Sequence, residues 1–346
     1  MIKVLFDTSP LKNLHMFRGV GTYTDFLYQY LQQEKEITVL DANTTEKPDI
    51  VHYPYFDFFS HTLPFWKKTK TVITIHDVIP LIYPDQYPPG VRGTLKFWQQ
   101  FVSLRSVSQI ITDSECSKRD IIKYLNIPEK KVQTVLLAGN PNIQHQKGEV
   151  LSQVKKKYGL PELYFMYVGD INYNKNLPNL IKAFTAVPEE FSLVLVGRTL
   201  LNKEISEGVA LHNAIQETGL QQRVKLLTTV PKEPVADMAT IFSGAFAYVQ
   251  PSFYEGFGLP VLDAMQCEIL VLSSNASSLP EVAGDGALYF DPTNPENIAN
   301  ILKQAINMEY SERLEYIARA NANLKKFSWQ KTARETVEVY KKVMRA

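Results

Sequence analysis

The sequence has few of the features that mark several large classes of protein. Its 346 residues include two cysteines, Cys116 and Cys267, which lie far apart and form no metal-like pair. A disulfide framework is therefore not expected, whereas a reducing compartment is. The formal net charge is only +1, so global electrostatics offer no case for binding nucleic acid.

Membrane-spanning and targeting patterns are also missing. No apolar run approaches the ~20 residues that a helix needs to cross a bilayer. The N-terminus carries Asp7 early and reads as a strand rather than a secretion signal. The sequence contains no His-x-x-x-His, Cys-x-x-Cys or Gly-x-Ser-x-Gly, so metal-dependent hydrolysis and triad acyl chemistry lack support. We expect a cytoplasmic protein, soluble or at most peripheral on the inner face of a membrane.

What the sequence does contain is a regular alternation of short apolar runs and helical patterns. Hydrophobic residues make up 45% of the chain, which is enough for the two domains that its length suggests. The alternation predicts parallel sheets covered by helices on both faces. The predicted strands are Ile2–Phe6, Ile37–Leu40, Ile50–Tyr53, Thr71–Ile75, Gln109–Thr112, Val132–Leu136, Tyr164–Val168, Ser192–Val196, Val224–Leu227, Ala245–Val249, Leu270–Leu272 and Leu288–Phe290. The predicted helices are Gly21–Gln32, Gly93–Ser106, Ser117–Leu125, Leu177–Phe184, Pro234–Ser243, Pro260–Met265, Pro295–Asn307, Ser311–Lys326 and Ser328–Arg345.

The polar, basic stretch Asn142–Lys157 has little apolar patterning and is the predicted boundary between two similar halves. We assign residues 1–157 to an N-terminal Rossmann-like domain and residues 158–327 to a C-terminal one, and we expect the helix of residues 328–346 to return to the first domain. Ligands of such sheets bind at the carboxyl ends of the strands. Two facing sheets therefore predict a cleft with a site on each side.

The strongest local signal follows the strand Ala245–Val249. Residues 251–265 read Pro-Ser-Phe-Tyr-Glu-Gly-Phe-Gly-Leu-Pro-Val-Leu-Asp-Ala-Met. Gly256 and Gly258 free the backbone, and Pro260 suits the first turn of a helix. This pattern predicts a sharp turn that leads directly into a helix.

The groups around that turn suit a phosphorylated sugar. The N–H groups of Phe257, Gly258 and Leu259 would point out of the helix N-terminus, where they can bind a phosphate. Glu255 lies just before the turn and Asp263 about two turns into the helix, and each carboxylate can accept hydrogen bonds from neighbouring hydroxyls. The alternative is a glycine-rich turn with a capping Glu and a solvated Asp.

A second signal opens the C-terminal half. Residues 167–177 read Tyr-Val-Gly-Asp-Ile-Asn-Tyr-Asn-Lys-Asn-Leu, in which Gly169 follows a predicted strand and Lys175 precedes a predicted helix. A lysine in such a turn can neutralise a diphosphate, or it is an ordinary solvated side chain. Arg198 ends the next strand, and adjacent strand ends lie on the same edge of a sheet, so it can add a second cation there.

Two weaker signals lie in the N-terminal half. Gly19 and Gly21 stand ahead of a predicted helix, but their spacing and distance from the first strand do not match a dinucleotide fingerprint. His76 emerges at the carboxyl end of a strand in Thr-Ile-His-Asp-Val, where a neutral ring can hydrogen-bond to a substrate; a satisfied structural histidine is the alternative. We read Asp77 as structural and favour Asp113 as the cap of the next helix.

Taken together, residues 251–265 and 273–292 resemble family 4 of the retaining glycosyltransferases, which have the GT-B fold, and in particular its O-antigen mannosyltransferases. Similar enzymes carry Glu, seven residues and a second acid, usually Glu, around Phe-Gly-Leu-Pro; here the second acid is Asp263. The resemblance implies that Glu255 binds the hydroxyls of the donor sugar and that Asp263 binds the ribose. Similar enzymes usually show Arg-Lys-Asn where this chain has Asn-Lys175-Asn, so one cation is missing and Arg198 is our candidate replacement.

The resemblance also implies the reaction. A hexose, with mannose favoured, would pass with retention from a nucleoside diphosphate, GDP- or UDP-linked, to a glycan or a lipid-linked saccharide. It implies catalytic roles for His76, Lys175 and Glu255, and it places Gly19 and Gly21 over the diphosphate. No cofactor is implied, and the absence of Asp-x-Asp favours a reaction without metal. Two alternatives stay open: a GT-B epimerase or hydrolase of nucleotide sugars, and a two-domain sugar-binding protein without catalysis.

The predicted helix near residues 92–105 is both basic and aromatic. It carries Phe97, Trp98, Phe101 and Leu104 together with Arg92, Lys96 and Arg105. Such a helix can touch a membrane that holds a lipid-linked acceptor, or it can face the core with a solvated basic edge. We favour the core.

Overall fold

The computed structural model describes residues 1–41, 43–230 and 235–346 and divides the chain into two units. Unit 1 comprises Met1–Ala138 and Phe327–Ala346, and unit 2 comprises Gly139–Lys326. The division therefore falls before the predicted boundary at residue 157, and the last helix belongs to unit 1.

Unit 1 is built on a six-stranded sheet in which every strand pair is parallel. The strand order is β2-β1-β3-β4-β5-β6. Its strands are β1 (Ile2–Phe6), β2 (Ile37–Leu40), β3 (Ile50–Tyr53), β4 (Lys70–Thr74), β5 (Gln109–Thr112) and β6 (Val132–Thr134). Its helices are α1 (Gly19–Leu31), α2 (Ile79–Ile82), α3 (Gly90–Arg105), α4 (Glu115–Leu125) and α13 (Trp329–Arg345).

Unit 2 repeats this plan with a second six-stranded parallel sheet, in the order β12-β11-β10-β7-β8-β9. Its strands are β7 (Leu163–Val168), β8 (Phe191–Val196), β9 (Val224–Leu227), β10 (Ala247–Gln250), β11 (Leu270–Ser274) and β12 (Ala287–Phe290). Its helices are α5 (Glu149–Tyr158), α6 (Leu177–Phe184), α7 (Ser206–Glu217), α8 (Val235–Ser243), α9 (Leu259–Gln266), α10 (Leu279–Ala283), α11 (Pro295–Asn307) and α12 (Tyr310–Leu324).

The central strands of both sheets are buried on both faces, which is why they appear in the sequence as continuous apolar runs. The predicted α/β class with two Rossmann-like sheets is confirmed. The predicted helix Pro234–Ser243 is observed from Val235 onward, and Pro234 lies outside the described residues.

The stretch Asn142–Lys157, which we predicted as the boundary between the two halves, is structured and belongs to unit 2. Gln266 Nε2 donates hydrogen bonds to the carbonyl oxygens of Asn140 and Ile143, both at 2.8 Å. His145 Nδ1 lies 2.7 Å from the carbonyl oxygen of Cys267. Residues 149–158 then form α5, which the sequence pattern missed because only Val154 in it is buried. These contacts place the division of the chain after Ala138.

Candidate functional site

In unit 2 the candidate site lies at the edge of the sheet where β7, β8 and β10 end. Gly169 follows β7 with φ +153°, and its N–H donates to the carbonyl oxygen of Val196 at 2.9 Å. A Cβ on Gly197, the residue after β8, would lie 2.0 Å from the carbonyl oxygen of Gly169. Two glycines therefore let the loops after neighbouring strands approach each other closely, and exposed Arg198 follows directly at this edge.

The turn that carries Lys175 is held by the two asparagines beside it. Asn174 Nδ2 donates to the carbonyl oxygen of Tyr254 at 2.9 Å. Asn176 adopts φ +56° and donates to the carbonyl oxygens of Pro251 at 2.9 Å and Pro292 at 2.7 Å. Both asparagines are buried. The Asn174 that stands where similar enzymes have Arg therefore fastens this turn to the loop after β10.

Lys175 and Glu255, which we predicted to contact different parts of one ligand, form an ion pair. Lys175 Nζ lies 2.8 Å from both carboxylate oxygens of Glu255. The side chains are 20% and 10% exposed, respectively. The pair is thus largely shielded from water. In such a partly buried environment the electrostatic attraction between the two charges is stronger than at the surface.

The Glu255 carboxylate has two further donors that the sequence did not reveal. Gln250 Nε2 donates to Oε1 at 2.9 Å, and Ser252 Oγ donates to the same oxygen at 2.6 Å. The hydroxyl of Tyr248 in turn donates to Oε1 of Gln250. These neutral donors hold the carboxylate in one orientation.

The turn after Glu255 leads into α9 as predicted. Gly258 has φ +114° and precedes the first helical residue, Leu259. Ser277 Oγ accepts the N–H of Glu255 at 2.8 Å, and Ser278 Oγ lies 2.8 Å from the carbonyl oxygen of Phe257. The residues Gly256, Phe257 and Gly258 are buried at this helix N-terminus, whose N–H groups and dipole favour an anion.

Asp263 lies little more than one turn into α9, nearer to its start than we predicted. Its Oδ1 accepts the N–H of Asn140 at 2.8 Å. Burial raises the pKa of this carboxyl to about 7, although part of the residue remains exposed. One oxygen of Asp263 is therefore already used by the fold.

In unit 1, His76 and Asp113 follow the neighbouring strands β4 and β5. His76 Nδ1 lies 2.6 Å from Oδ2 of Asp113, and its Nε2 lies 3.1 Å from the carbonyl oxygen of Pro54. Both partners are acceptors when Asp113 is ionised, and both ring nitrogens then carry a proton. Although burial opposes a charged ring, Asp113 raises the pKa of His76 above its usual value. This arrangement favours a charged ring over the neutral ring that we predicted.

The role that we predicted for Asp113 is also wrong. Helix α4 is capped by Ser114, whose Oγ accepts the N–H of Ser117 at 3.0 Å. Asp113 instead orients His76, and its Oδ1 is buried without a hydrogen-bond partner among the described residues. Asp77 has the structural role that we expected, since its Oδ1 accepts the N–H of Ile79 at 2.9 Å.

A buried polar chain in unit 1 was not visible in the sequence. Tyr340 of α13 lies 2.7 Å from His52 Nδ1, and His52 Nε2 lies 2.9 Å from Thr74 Oγ1. Thr74 Oγ1 in turn lies 2.8 Å from the hydroxyl of Tyr23, whose ring stands edge-on to that of His76 at 4.8 Å. These hydrogen bonds connect the C-terminal helix α13 to the residues that pack around His76.

Gly19 and Gly21 lie in the first turn of α1 rather than in an open loop. Gly19 is exposed, whereas Gly21 is buried. A Cβ on Gly21 would lie 2.5 Å from the carbonyl oxygen of His15 and 2.5 Å from the Cα of Met16. Close packing of α1 on the preceding turn explains why position 21 has no side chain.

The fold and these strand-end sites define a class of protein, which comparison with known proteins confirms. Anabaena HepE, solved in complex with UDP and glucose, superposes with a TM-score of 0.74 over 99% of this chain and 100% of that chain, at 16% sequence identity. The architecture is thus the GT-B fold of glycosyltransferases. Among the helices of the described ranges, none combines the length and apolar character that crossing a bilayer demands.

The model of the glycosyl transferases group 1 matches residues 152–325, and the model of glycosyltransferase family 4 matches residues 23–136. The chain belongs to the group 1 glycosyltransferases. It is 30% identical to O-antigen chain mannosyltransferase B of Escherichia coli over 83% of this chain and 75% of that protein. It is 27% identical to the serotype-specific mannosyltransferase WbdA of E. coli over 86% of this chain but only 37% of that larger protein.

Proposed function

We propose that this glycosyltransferase moves mannose from a nucleoside diphosphate, GDP-mannose first among the candidates, to a glycan or a lipid-linked saccharide of a surface polysaccharide such as an O-antigen. The Lys175–Glu255 pair beside the N-terminus of α9 carries the proposal. It provides one cation for a phosphate and one carboxylate for sugar hydroxyls at the same sheet edge. The mannosyltransferase relatives support the choice of sugar.

Donor binding would exchange the partners of this ion pair. Lys175 Nζ would leave the Glu255 carboxylate for a phosphate oxygen, and the carboxylate would accept hydrogen bonds from sugar hydroxyls. The lost attraction is replaced by two charge-assisted contacts to the ligand. Gln250 and Ser252 keep the carboxylate in place meanwhile, since both donate to it independently of Lys175.

The leaving group would be stabilised by fixed positive potential. Negative charge grows on the diphosphate as the bond to the sugar breaks. Lys175, Arg198 and the N–H groups of Phe257–Leu259 are our candidates for meeting that charge, and Gly169 leaves room for the phosphates. These groups can act without a metal, and we propose a metal-independent reaction on that basis. We assign no carboxylate as a nucleophile, and we favour a same-face displacement with retention.

Other residues would hold the rest of the substrates. We propose that Asp263 contributes its free oxygen to the ribose, and that the charged ring of His76 stabilises the reacting sugar and phosphate electrostatically. Gly19 would contact the diphosphate through its backbone, whereas Gly21 allows α1 to pack closely against the preceding turn. We further propose that the protein works in the cytoplasm, in peripheral contact with the inner face of the membrane.

Transfer assays with purified protein test this function. GDP-mannose, UDP-glucose and UDP-galactose would each be offered with and without a mannose-terminated oligosaccharide. We expect nucleotide release only when GDP-mannose and the acceptor are both present, undiminished by excess EDTA, and an α-linked product by NMR. Full release without acceptor would instead identify a hydrolase or epimerase, and binding without release would identify a sugar-binding protein. Activity that EDTA abolishes and Mg²⁺ restores would refute the electrostatic scheme.

A further inference from the structure

Helix α3 has two apolar faces, and only one of them is covered. Leu104 is buried in the core of unit 1, and Phe97 and Phe101 pack against that core. The opposite face exposes Val91, Leu95, Trp98 and Val102, which are 90%, 72%, 58% and 49% exposed. Their spacings of four, three and four residues put them in one row along the helix. The prediction that this helix faces the core is thus confirmed for its inner face, but it does not explain the exposed apolar side chains of the outer face.

A neighbouring loop that is fastened to α3 also exposes two aromatic side chains. Phe65 and Trp66 are 46% and 82% exposed. The loop is fastened to α3 on both sides of them, because Gln100 Oε1 accepts the N–H of Leu63 at 2.7 Å and Lys67 Nζ donates to the carbonyl oxygen of Ser103 at 2.6 Å. We call the row of Val91, Leu95, Trp98 and Val102 the α3 surface.

Helix α3 and the loop fastened to it carry charge of one sign. Residues 58–76 and 86–112, which include this loop and α3, contain no Asp or Glu. They contain Lys67, Lys68, Lys70, Arg92, Lys96 and Arg105. Lys68, Arg92 and Arg105 are exposed. Since the whole chain has a formal charge of only +1, this concentration of basic residues is local.

We propose that the α3 surface docks on the headgroup region of an anionic lipid bilayer, with α3 lying in the plane of the interface. An exposed row of Leu, Val and Trp flanked by Lys and Arg is the composition that such helices use, and Trp favours the interfacial layer. Basic side chains beside the row are attracted to anionic headgroups. The inference rests on the peripheral contact proposed above and assigns the residues that make it.

The same observations favour a lipid surface over a second copy of this chain. A two-fold contact would bring the basic segments of both copies together, because each copy offers the same patch. No acid of these segments is available to pair with them. Like charges that face each other across an interface weaken association, whereas an anionic bilayer attracts them.

Vesicle sedimentation with the full chain tests the docking. The probes are vesicles of equal parts phosphatidylglycerol and phosphatidylcholine, and vesicles of phosphatidylcholine alone. We expect tight binding to the anionic vesicles only, weakened as NaCl rises from ~0.05 M to ~0.5 M. Leu95→Ser combined with Trp98→Ser should lower the partition coefficient about tenfold or more. The matched control is Tyr310→Ser with Leu314→Ser on α12, which removes two exposed apolar side chains elsewhere and should change nothing.

Three results would overturn the inference. The first is that the wild-type chain does not bind the anionic vesicles. The second is that the Leu95/Trp98 variant and its control lose vesicle binding equally. The third is that the wild-type chain is a dimer that does not bind vesicles and becomes monomeric in the Leu95/Trp98 variant. Circular dichroism checks folding, with Leu95→Gln plus Trp98→Gln as a second variant pair. Transfer to a water-soluble acceptor should be unaffected by either pair. If the wild-type chain binds vesicles but transfers no sugar, the proposed function fails and the docking surface stands.

Discussion

The two units have the same type of sheet and place a charged pair at the carboxyl edge of each, but the two pairs are built differently. In unit 2, Lys175 contacts both oxygens of Glu255, and the two side chains keep 20% and 10% of their surface exposed. In unit 1, Asp113 gives one oxygen to His76, while its other oxygen is buried without a partner among the described residues.

The difference indicates two kinds of electrostatic device. The Lys175–Glu255 pair can separate at a lower cost, because both side chains keep some exposure and because Gln250 and Ser252 also donate to the carboxylate. The His76–Asp113 pair cannot separate cheaply, because a buried charge without its partner is costly. Unit 2 therefore offers charges that a ligand can take over, whereas unit 1 holds one charge on a fixed ring.

The largest effect on transfer is expected from Glu255→Gln. The amide keeps an acceptor for Ser252 but removes the charge that faces the donor sugar. If that charge stabilises positive character as the bond breaks, kcat should fall about 10²–10³-fold, with a smaller rise in KM for the donor. Donor-saturation kinetics measure this, with Glu296→Gln, an exposed acid on α11, as control. Unchanged kinetics in a folded variant would refute the site in unit 2.

Lys175→Ala should come next. Loss of the cation should weaken binding of a nucleoside diphosphate about 10–100-fold, because a hydrogen bond to a charged group is lost. Binding of the nucleoside alone should change much less. Titration calorimetry with GDP and guanosine checks the difference, and Lys182→Ala, exposed in the last turn of α6, is the control. Equal losses for both ligands would count against a phosphate contact.

Asp113→Asn should change the titration of His76. Asp113 holds the pKa of His76 above its usual value, so the ion pair stabilises the fold below the unfolded pKa of ~6.5, and this contribution is lost as pH rises through the folded pKa. With Asn at 113, burial dominates, the pKa of His76 should drop below ~6.5, and the pH dependence should reverse, with stability lost as pH falls below ~6.5. NMR titration of His76 reads the change, while His52, whose pKa burial lowers to about 3, stays neutral as an internal reference. A His76 pKa that does not move would show that Asp113 is not its partner.

The smallest effect on transfer is expected from Asp263→Asn. Burial raises the pKa of Asp263 from 3.8 to about 7, so the wild-type protein should lose stability as pH rises from about 4 through 7. The amide keeps the acceptor for Asn140 and removes this loss. The variant should match the wild type at pH ~4 and exceed it at pH ~8 by at most ~4 kcal/mol, with a raised donor KM and nearly constant kcat. Thermal melts at the two pH values decide; a variant that is less stable at the higher pH contradicts the assignment.

Much of the fold could be read from the sequence because its signals are local. Strands such as Ile50–Tyr53 and Gln109–Thr112 are short apolar runs between polar segments, and their predicted bounds match the structure. The turn into α9 followed from Gly258 and Pro260, whose backbone preferences are encoded at those positions. Helices α5 and α7 were missed, because α5 buries one residue and α7 has a weak apolar row.

The arrangement of the sites was not available from local signals. Lys175 and Glu255 are 80 residues apart, and nothing near either residue shows that they pair. Likewise, nothing in the sequence near His76 or Asp113 shows that they pair, and it is the contact with Asp113 that favours a charged His76 ring. After α9, Glu268 adopts φ +56°, a conformation that glycine adopts more easily, so its residue type did not predict this turn.

The most direct test of the account is a crystal structure of the protein with GDP. We expect the diphosphate at the carboxyl ends of β7 and β10, against the N-terminus of α9, with Lys175 Nζ moved from the Glu255 carboxylate to a phosphate oxygen. Gln250 and Ser252 should still contact Glu255. A nucleotide bound elsewhere, or a diphosphate bound while the Lys175–Glu255 pair stays closed, would contradict the exchange of partners on which the proposed function depends.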